Sequence, residues 1–468
     1  MPDTATNATV LTAEPARATM RQRQYVVLLV IAAVVGLVVS LAAWCFLELV
    51  YQIQRELFTH LPRALGYSHG PPGWWPLPVL AIGGIIAGAA IARLPGHGGH
   101  IPAQGLATSG PQPRPIDLPG TILAAIATLG FGLVLGPEAP LIAVGSGLGI
   151  LTVRLARNDA PSPVVMVMAA TGSFAALSLI FASPLIAAVV MIEATGIGGA
   201  RLPLVLVPGL LGAGIGALVS TGMGSFTGLS SSAYALGALQ LPQLARPDVA
   251  EFLWTITLAI AVAAATQLIS RIGSTTQRIT WPRMLLLPLV GLIVAGLAIA
   301  FTHAAHHSVD DVLFSGQVQL PGVVAQASTW SLSALALLIA FKGLGYGLCL
   351  GTFRGGPTFP ALFLGAVGGI MASHLAGFPI TAAVAVGIGA GAAAMLKLPL
   401  SAMVIATLLT AKSGVGAEPL IIVGVVVSYL ATLVLCAPAS DRPAAETGTP
   451  ESGAPVTGTQ PVAAMSRG

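Results

Sequence analysis

A single acidic residue, Glu138, interrupts a long apolar stretch at Gly136-Pro137-Glu138-Ala139-Pro140, and the flanking runs 122–135 and 141–151 carry no charge. A carboxylate at bilayer depth costs free energy, so it marks a candidate functional site that solvent or ions reach. The glycine and prolines predict a helix that restarts at Glu138, where free backbone N–H groups and a positive dipole attract anions. A carboxylate placed there can occupy an anion site and then move away. The alternative is a buried carboxylate satisfied by its own helix.

The composition is that of an integral membrane protein. Of 468 residues, 55% are hydrophobic and 8% are charged, whereas soluble domains carry about 25% charged residues. The mean hydropathy is +0.89. Long apolar runs predict an all-α, multi-pass protein of the cell membrane, in contact with lipid, because membrane barrels show short alternating segments instead. The net charge of +4, without a basic stripe, predicts no nucleic-acid partner. No motif predicts a cofactor.

A series of apolar segments must position Glu138. Several are shorter than the roughly 20 residues that span a bilayer. Short and long helices broken by Gly and Pro predict tilted and broken helices that meet at the membrane midplane. The predicted segments are 25–58, 75–93, 118–135, 138–156, 163–181, 184–195, 202–221, 250–270, 284–303, 329–350, 358–375, 379–396, 398–411 and 418–436.

Two short motifs recur at a spacing of 215 residues. Gly132-Leu133-Val134-Leu135-Gly136 returns as Gly347-Leu348-Cys349-Leu350-Gly351, and Pro184-Leu185 returns as Pro399-Leu400. Each Gly-Leu motif precedes a Gly/Pro-rich break and a new apolar helix. The order predicts two homologous halves, which transporters commonly arrange with inverted topology around an ion path.

The chain divides into one membrane domain and two polar tails. Arg17, Arg21 and Arg23 precede the first apolar run, so we expect a cytoplasmic N-terminus, and a cytoplasmic C-terminus with it. The tails lack the large apolar side chains needed for a core and are predicted to be disordered. The predicted parts are 1–24 (N-terminal tail), 25–438 (membrane domain, with halves near 75–196 and 284–412) and 439–468 (C-terminal tail).

Over residues 25–438 the chain resembles the CLC chloride channels and chloride/proton antiporters, whose anion path is built from three elements at helix N-termini. The second element is the best match, Gly136-Pro137-Glu138-Ala139-Pro140, and it implies that Glu138 is the external gating glutamate. The third element resembles Gly356-Pro357-Thr358-Phe359-Pro360, in which Phe359 lies one position later than the family's phenylalanine. The first resembles Gly98-Gly99-His100-Ile101-Pro102, with Gly99 at the family's serine. We call these the first (98–102), second (136–140) and third (356–360) elements.

The resemblance implies a set of site residues and an assembly. It implies a homodimer with one pore per subunit, in contact through segments such as 184–195 and 398–411. It implies transport of chloride or other small anions, with or without protons. Glu138 and Glu193 are the candidate proton-path residues. The implied anion-binding residues are Gly99, His100, Ile101, Gly136, Pro137, Ala139, Thr358 and Phe359.

The sequence departs from the family at two positions. The inner proton-accepting glutamate aligns with Ala194, next to Glu193, and the central tyrosine has no counterpart, because Tyr429 falls too early. We therefore expect passive or weakly proton-coupled anion flow. A chloride/proton antiporter that uses Glu193 is an alternative, and so is a fluoride exporter, since that branch departs at the same positions. If Glu193 is not a proton acceptor, it is a polar side chain whose hydrogen bonds are satisfied within packed protein.

A membrane enzyme is the distant alternative, and the sequence does not favour it. Such an enzyme needs a paired acid, a Ser/His arrangement or a metal set within the spans. Glu138 and Glu193 stand alone without a nearby His. The spacing of His303, His306 and His307 matches no standard zinc motif, so no metal site is predicted. His100 is either a polar loop group or part of an anion vestibule.

Overall fold

The structure, a computed structural model, describes residues 23–68, 70–106, 114–199, 202–229 and 235–436. One compact unit spans Met1–Leu435, and a second, Cys436–Gly468, lies outside the described residues apart from Cys436. The predicted tails, 1–24 and 439–468, therefore also lie outside them, except that residues 23 and 24 begin the first helix.

Helices dominate the described residues, which contain one isolated β-bridge and no named strand. Nine helical segments there are long and apolar enough to cross a membrane. The all-α membrane prediction is confirmed. The helices are α1 (Arg23–Arg55), α2 (Pro76–Arg93), α3 (Leu118–Leu129), α4 (Glu138–Ala156), α5 (Ser162–Ile180), α6 (Pro184–Thr195), α7 (Leu202–Thr227), α8 (Val249–Gln277), α9 (Arg283–Ala305), α10 (Leu320–Ala325), α11 (Leu332–Thr352), α12 (Thr358–Ala372), α13 (Ile380–Leu396), α14 (Pro399–Leu409) and α15 (Glu418–Cys436).

Two helix pairs, one in each half, pack in the same way. α4 lies against α5, and α12 lies against α13. Gly145 faces the backbone of Gly172 in the first pair, and Gly365 faces that of Gly387 in the second. A Cβ on any of the four glycines would collide with the carbonyl of its partner. Small residues thus let the backbones approach, as is typical of membrane helices, and the equivalent contacts support the division into two halves.

One of the two motifs that predicted the repeat is not structurally equivalent. Residues 132–136 form a loop after α3, where Gly132 has a φ of 91°. Residues 347–351 lie inside α11. The structural pairing is instead Gly136 with Gly356, a spacing of 220 residues. The Pro184 and Pro399 match does correspond in structure, because each proline begins a short helix, α6 or α14.

Other local predictions also differ from the structure. The segment predicted at 118–135 ends its helix at Leu129, since the chain must leave the helix to reach the bridge at Gly136. The first long helix continues into a π-helical turn at Glu56–His60. The short helix α10 (Leu320–Ala325) was not predicted, because six residues give too little periodicity to recognise.

Candidate anion site

The two chain breaks, at Gly136 and Gly356, meet in a single antiparallel bridge. The Gly136 N–H donates to the Gly356 carbonyl at 2.8 Å, and the Gly356 N–H donates back to Gly136. A proline follows each glycine, and each proline is the N-cap of the next helix. Proline has no N–H and a fixed φ, so it suits a helix start and ends the bridge after one residue pair. α4 and α12 therefore both begin next to this bridge.

Glu138, the first residue of α4, directs its side chain to the start of α12. The carboxylate is fully buried, and its Oε1 accepts a hydrogen bond from the backbone N–H of Thr358. Its Oε2 is also buried and has no hydrogen-bond partner among the described residues. A negative group from one half thus lies at the positive end of a helix in the other half, where a free anion would also bind.

The two bridge glycines enclose this carboxylate. A Cβ built on Gly136 would collide with Glu138 Oε2, and one built on Gly356 would collide with Glu138 Cδ. The space that holds the carboxylate therefore requires glycine at both 136 and 356, because any larger residue would fill it.

Five of the predicted anion-binding residues are brought together at this contact. Each lies within three residues of a bridge glycine along the chain and is buried in the structure. The Phe359 ring also stacks on Phe181, with ring centroids 5.4 Å apart. The chain just before α6 therefore packs against the start of α12. The five residues are Gly136, Pro137, Ala139, Thr358 and Phe359.

The sequence analysis missed Tyr346, which is fully buried on α11. Its hydroxyl donates to the carbonyl of Pro357, the N-cap of α12, and the side chain is near enough to Glu138 to feel its charge. A phenol thus reaches the start of α12 from α11, a contribution that the sequence did not predict. Two polar residues one turn apart in an apolar helix, Lys342 and Tyr346, were the available signal.

Lys342 is another fully buried polar side chain on α11. Its Nζ donates to four backbone carbonyls, those of residues 311 to 314, at 2.9 to 3.3 Å. It also lies 4.6 Å from the centre of the Phe363 ring on α12. The ammonium group therefore fixes the 311–314 loop to the helix that receives Glu138.

The first element has a different form from the other two. Gly98 and Gly99 have φ values of 75° and 83°, and Gly105 has a φ of 93°. Only a three-residue 3₁₀ turn, Pro102–Gln104, lies between them, because the left-handed Gly105 ends it. The expectation that all three elements begin helices is wrong here, and no helix dipole lies behind the predicted residues Gly99, His100 and Ile101.

His100 does not supply charge to this element at neutral pH. The imidazole is half-buried, and its Nε2 lies 2.8 Å from the Gly105 carbonyl. Burial lowers the pKa of His100. The neutral ring therefore donates to that carbonyl and closes the turn.

Arg354 joins the first and third elements. The residue is 5% exposed. The Nε and Nη2 groups donate to the His97 carbonyl at 3.3 and 3.2 Å, and Nη1 donates to the Thr352 and Phe353 carbonyls at 3.3 and 3.1 Å. All these acceptors are neutral, so the arginine keeps its full positive charge inside the protein.

Glu193 is half-buried and caps a helix. One oxygen accepts from the Leu400 N–H at 2.9 Å, and the other accepts from the Ser401 N–H and hydroxyl, both at 2.6 Å. Both oxygens are thus engaged with the start of α14. The neighbouring Ala194 lines a cavity of about 260 Å³, together with residues 102–106, parts of α8 and Lys397. Among the described residues no group of three or more His, Cys, Asp or Glu could hold a metal.

Sequence comparison gives the family. Residues 82–433 match the voltage gated chloride channel family. The chain belongs to this family, also called CLC. "Putative ion-transport protein YfeO" of Escherichia coli (strain SMS-3-5 / SECEC) is 29% identical over 376 residues, which are 78% of this chain and 83% of the relative. The protein of that name from Escherichia fergusonii is equally similar over the same extent.

Solved CLC structures share the fold. A slow cyanobacterial Cl⁻/H⁺ antiporter superposes with a TM-score of 0.68 at 20% identity, over 87% of this chain and 95% of that one. A CLC-type fluoride/proton antiporter gives 0.65 at 16%, with the same coverage. A eukaryotic CLC transporter gives 0.67 at 16%, over 88% of this chain and 73% of that one. The predicted CLC-like fold is confirmed. This CLC protein is a multi-pass membrane protein of an anion-transporting family.

Proposed function

We propose that this protein conducts chloride and other small anions passively, or with weak proton coupling, through a path gated by Glu138. The observation that carries the proposal is the buried Glu138 carboxylate on the Thr358 N–H. An ionised carboxylate and a permeant anion compete for the same donor. When Glu138 is protonated, its attraction to the helix end falls and the donor becomes available to the anion.

The surroundings suit conduction of a weakly held ion. A permeant anion needs partial positive charge in place of its water, and backbone N–H groups supply this without trapping the ion. Thr358 and Phe359 offer such groups at the start of α12, and Gly356 lets the backbone approach the ion. In this proposal the anion takes the position of the Glu138 carboxylate. Glu138 then determines how the rate depends on external pH.

The inner side supports weak coupling. Ala194 lines the cavity where an inner proton acceptor would lie, and none of the lining residues is acidic. Glu193 has both oxygens engaged with α14, so taking up a proton would cost those capping bonds. The antiporter alternative retains Glu193 as the acceptor, because its side chain is only half-buried. We assign Glu193 primarily the capping role.

Selectivity and assembly are part of the proposal. Gly99 replaces the family's serine, and the first element lacks a helix, so preference for chloride over fluoride or nitrate depends on the α12 donors. A homodimer through α6 and α14 is supported by Leu185 and Leu400, which are 54% and 51% exposed and lie on two helices that contact each other. We place both termini in the cytoplasm, from the arginines before α1.

The test is anion efflux from liposomes that contain the purified protein, with chloride, nitrate and fluoride compared and empty liposomes as the control. Efflux of chloride and nitrate supports the proposal. Fluoride efflux that greatly exceeds chloride efflux would instead make the protein a fluoride exporter. Efflux no faster than in empty liposomes would refute anion conduction altogether.

A further inference from the structure

Tyr346 and Glu138 bind opposite ends of one peptide group. The Tyr346 hydroxyl donates to the carbonyl of Pro357, and the N–H that Glu138 accepts belongs to Thr358, the next residue. That carbonyl and that N–H both belong to the peptide bond between Pro357 and Thr358. No peptide bond among the described residues is cis, so the two groups point in opposite directions. A line of hydrogen bonds therefore runs from the phenol, through this peptide, to the carboxylate.

This line of hydrogen bonds lies inside the protein. Tyr346 and Glu138 are 0% exposed, and Thr358 is 1% exposed. In such an interior of low dielectric, hydrogen bonds that share a group polarise one another, and each strengthens the next. A phenol that donates to the Pro357 carbonyl draws electron density from the peptide. The Thr358 N–H consequently becomes a stronger donor to any anion that binds it.

The phenol is carried by a helix that is fixed on both sides of it. One turn before Tyr346, the Lys342 ammonium binds the four carbonyls of residues 311 to 314. About one turn after it, Gly351 lies so close to α8 that a Cβ would collide with the Gly273 carbonyl. These contacts hold α11 in the orientation that directs the hydroxyl to Pro357.

Packing alone does not explain a tyrosine at this position. A phenylalanine ring would fill nearly the same space, and a buried hydroxyl costs free energy unless it is hydrogen-bonded. The bond to the Pro357 carbonyl offsets that cost. The hydroxyl therefore acts on the peptide that begins α12, and the ring alone fills the space.

We propose that Tyr346 is a positioning residue that strengthens anion binding at the start of α12 through the Pro357–Thr358 peptide. This proposal rests on the proposed function, because it concerns the donor at which the anion replaces the Glu138 carboxylate. Without the hydroxyl, the Thr358 N–H stays in place and donates less strongly. The phenol is neutral and does not touch the anion, so it raises the affinity without a fixed charge that would trap the ion.

The test is equilibrium binding of chloride to the purified full-length protein in detergent, measured by calorimetry. Glu138→Ala is the reference protein, because its own carboxylate no longer competes for the Thr358 N–H. Adding Tyr346→Phe is expected to raise the chloride dissociation constant about two- to four-fold, since cooperativity changes a hydrogen bond to a charged group by a fraction of its strength. An ortho-fluorinated tyrosine at position 346 is a more acidic donor of nearly the same shape, so it should lower the constant. A residue that only fills space would not give opposite changes for these two replacements.

Tyr25→Phe in the same Glu138→Ala protein is the matched control. It also deletes the hydroxyl of a buried tyrosine, on α1, but this hydroxyl has no hydrogen-bond partner among the described residues. Its chloride dissociation constant should equal that of the reference protein.

Equal dissociation constants for Tyr346→Phe and the reference protein would overturn the role of Tyr346. If Tyr346→Phe does not fold, the fluorinated protein decides the matter, because it retains the hydroxyl, and an unchanged or higher constant would count against the proposal. Absence of chloride binding to Glu138→Ala, at concentrations that saturate its efflux, would overturn both the α12 site and the role of Tyr346.

Chloride efflux from liposomes separates this proposal from the proposed function. A protein that shows the expected changes in binding and conducts no anion contradicts only the proposed function. A protein that conducts chloride, with dissociation constants that do not respond to the replacements at Tyr346, contradicts only the role of Tyr346.

Discussion

At the scale of single residues, Glu138 holds its carboxylate at the helix end where the proposal places the anion. It is fully buried, it comes from one half of the molecule, and its carboxylate accepts the Thr358 N–H of the other half. Gly136 and Gly356 leave room for this carboxylate, and a Cβ at either position would collide with it. Conduction through this position requires the carboxylate to leave it, and in the proposed function protonation is the cause.

Glu138→Gln tests the gate directly. The amide keeps the shape of the side chain and removes its charge, so we expect anion efflux at pH 7 that is at least as fast as in the wild type. We also expect efflux that no longer varies with external pH between about 5 and 8, since no proton is needed to release the site. Efflux measured at a series of external pH values checks this.

Glu193→Gln is the matched control, because it neutralises the other candidate glutamate. Glu193 accepts hydrogen bonds from the start of α14, and the amide oxygen of glutamine can still accept. We therefore expect the pH profile of the variant to follow that of the wild type. A Glu138→Gln profile that still follows the wild type would remove Glu138 as the gate.

Asp310 gives a pH effect on stability that is separate from the gate. It lies in the loop between α9 and α10, where burial, aided by Asp311 and opposed by Lys342, raises its pKa from 3.8 to about 6. The folded protein therefore holds this proton more tightly than the unfolded chain does. Ionised Asp310 thus destabilises the fold above pH 6, and this penalty disappears as the pH falls below about 4.

Asp310→Asn should remove the penalty. We expect its free energy of unfolding to exceed that of the wild type by about 1–2 kcal/mol at pH 7, with little difference near pH 4. Thermal unfolding in detergent at both pH values measures this. Asp159→Asn, at an 82% exposed side chain, is the control and should change neither value. A difference for Asp310→Asn that is equal at both pH values would contradict the assignment.

At the scale of helices, close glycine contacts fix the pairs that carry the breaks. Gly145 and Gly172 bring α4 against α5, and Gly365 and Gly387 bring α12 against α13. Because α12 begins at Thr358, any displacement of this pair moves the donor that receives Glu138.

Gly365→Ala should therefore impair both stability and conduction. Its Cβ would collide with the Gly387 carbonyl, and backbone cannot move aside as a side chain can. We expect a loss of about 1–3 kcal/mol in unfolding free energy and slower efflux. Gly368→Ala, on the same helix, is the control, since its Cβ would meet only Val262 at 3.5 Å. Equal unfolding temperatures for the two variants would contradict the role of this contact.

Helix starts were predictable where proline or a charge marks them. α4, α6 and α15 have the bounds that the sequence predicted, because Pro137, Pro184 and Glu418 or the glycines beside them interrupt the apolar runs. The contact between Glu138 and Thr358 was not predictable in detail, since 220 residues separate them and only the fold brings them together.

The first element and Tyr346 show why other parts of the candidate site were not predicted from the sequence. Residues 98–102 matched a pattern that begins a helix in the second and third elements. Here the left-handed Gly105 ends the turn after three residues. The sequence alone does not show which glycine of a glycine-rich loop has a positive φ. Tyr346 lies eleven residues from Pro357 inside a helix, so its approach to the site depends on how α11 packs.

At the scale of the whole molecule, the chain breaks before α4 and α12 meet at one bridge, and the candidate site lies at their contact. Gly136 and Gly356 pair across the halves, Glu138 reaches from one half to the other, and Glu193 of α6 caps α14 in return. The inner cavity reaches Ala194 without an acidic lining residue. Glu138 thus lies at the start of α12, and the cavity near Ala194 has no acidic group among the described residues that line it.

Chloride efflux from wild-type proteoliposomes, with external pH recorded at the same time, separates passive conduction from antiport. Passive conduction predicts chloride efflux without proton uptake in fixed proportion to it. It also predicts that a chloride gradient alone does not drive protons against their own gradient. Proton movement opposite to chloride, in constant ratio and able to proceed against a pH gradient, would contradict passive conduction and would make Glu193 the inner proton acceptor of an antiporter.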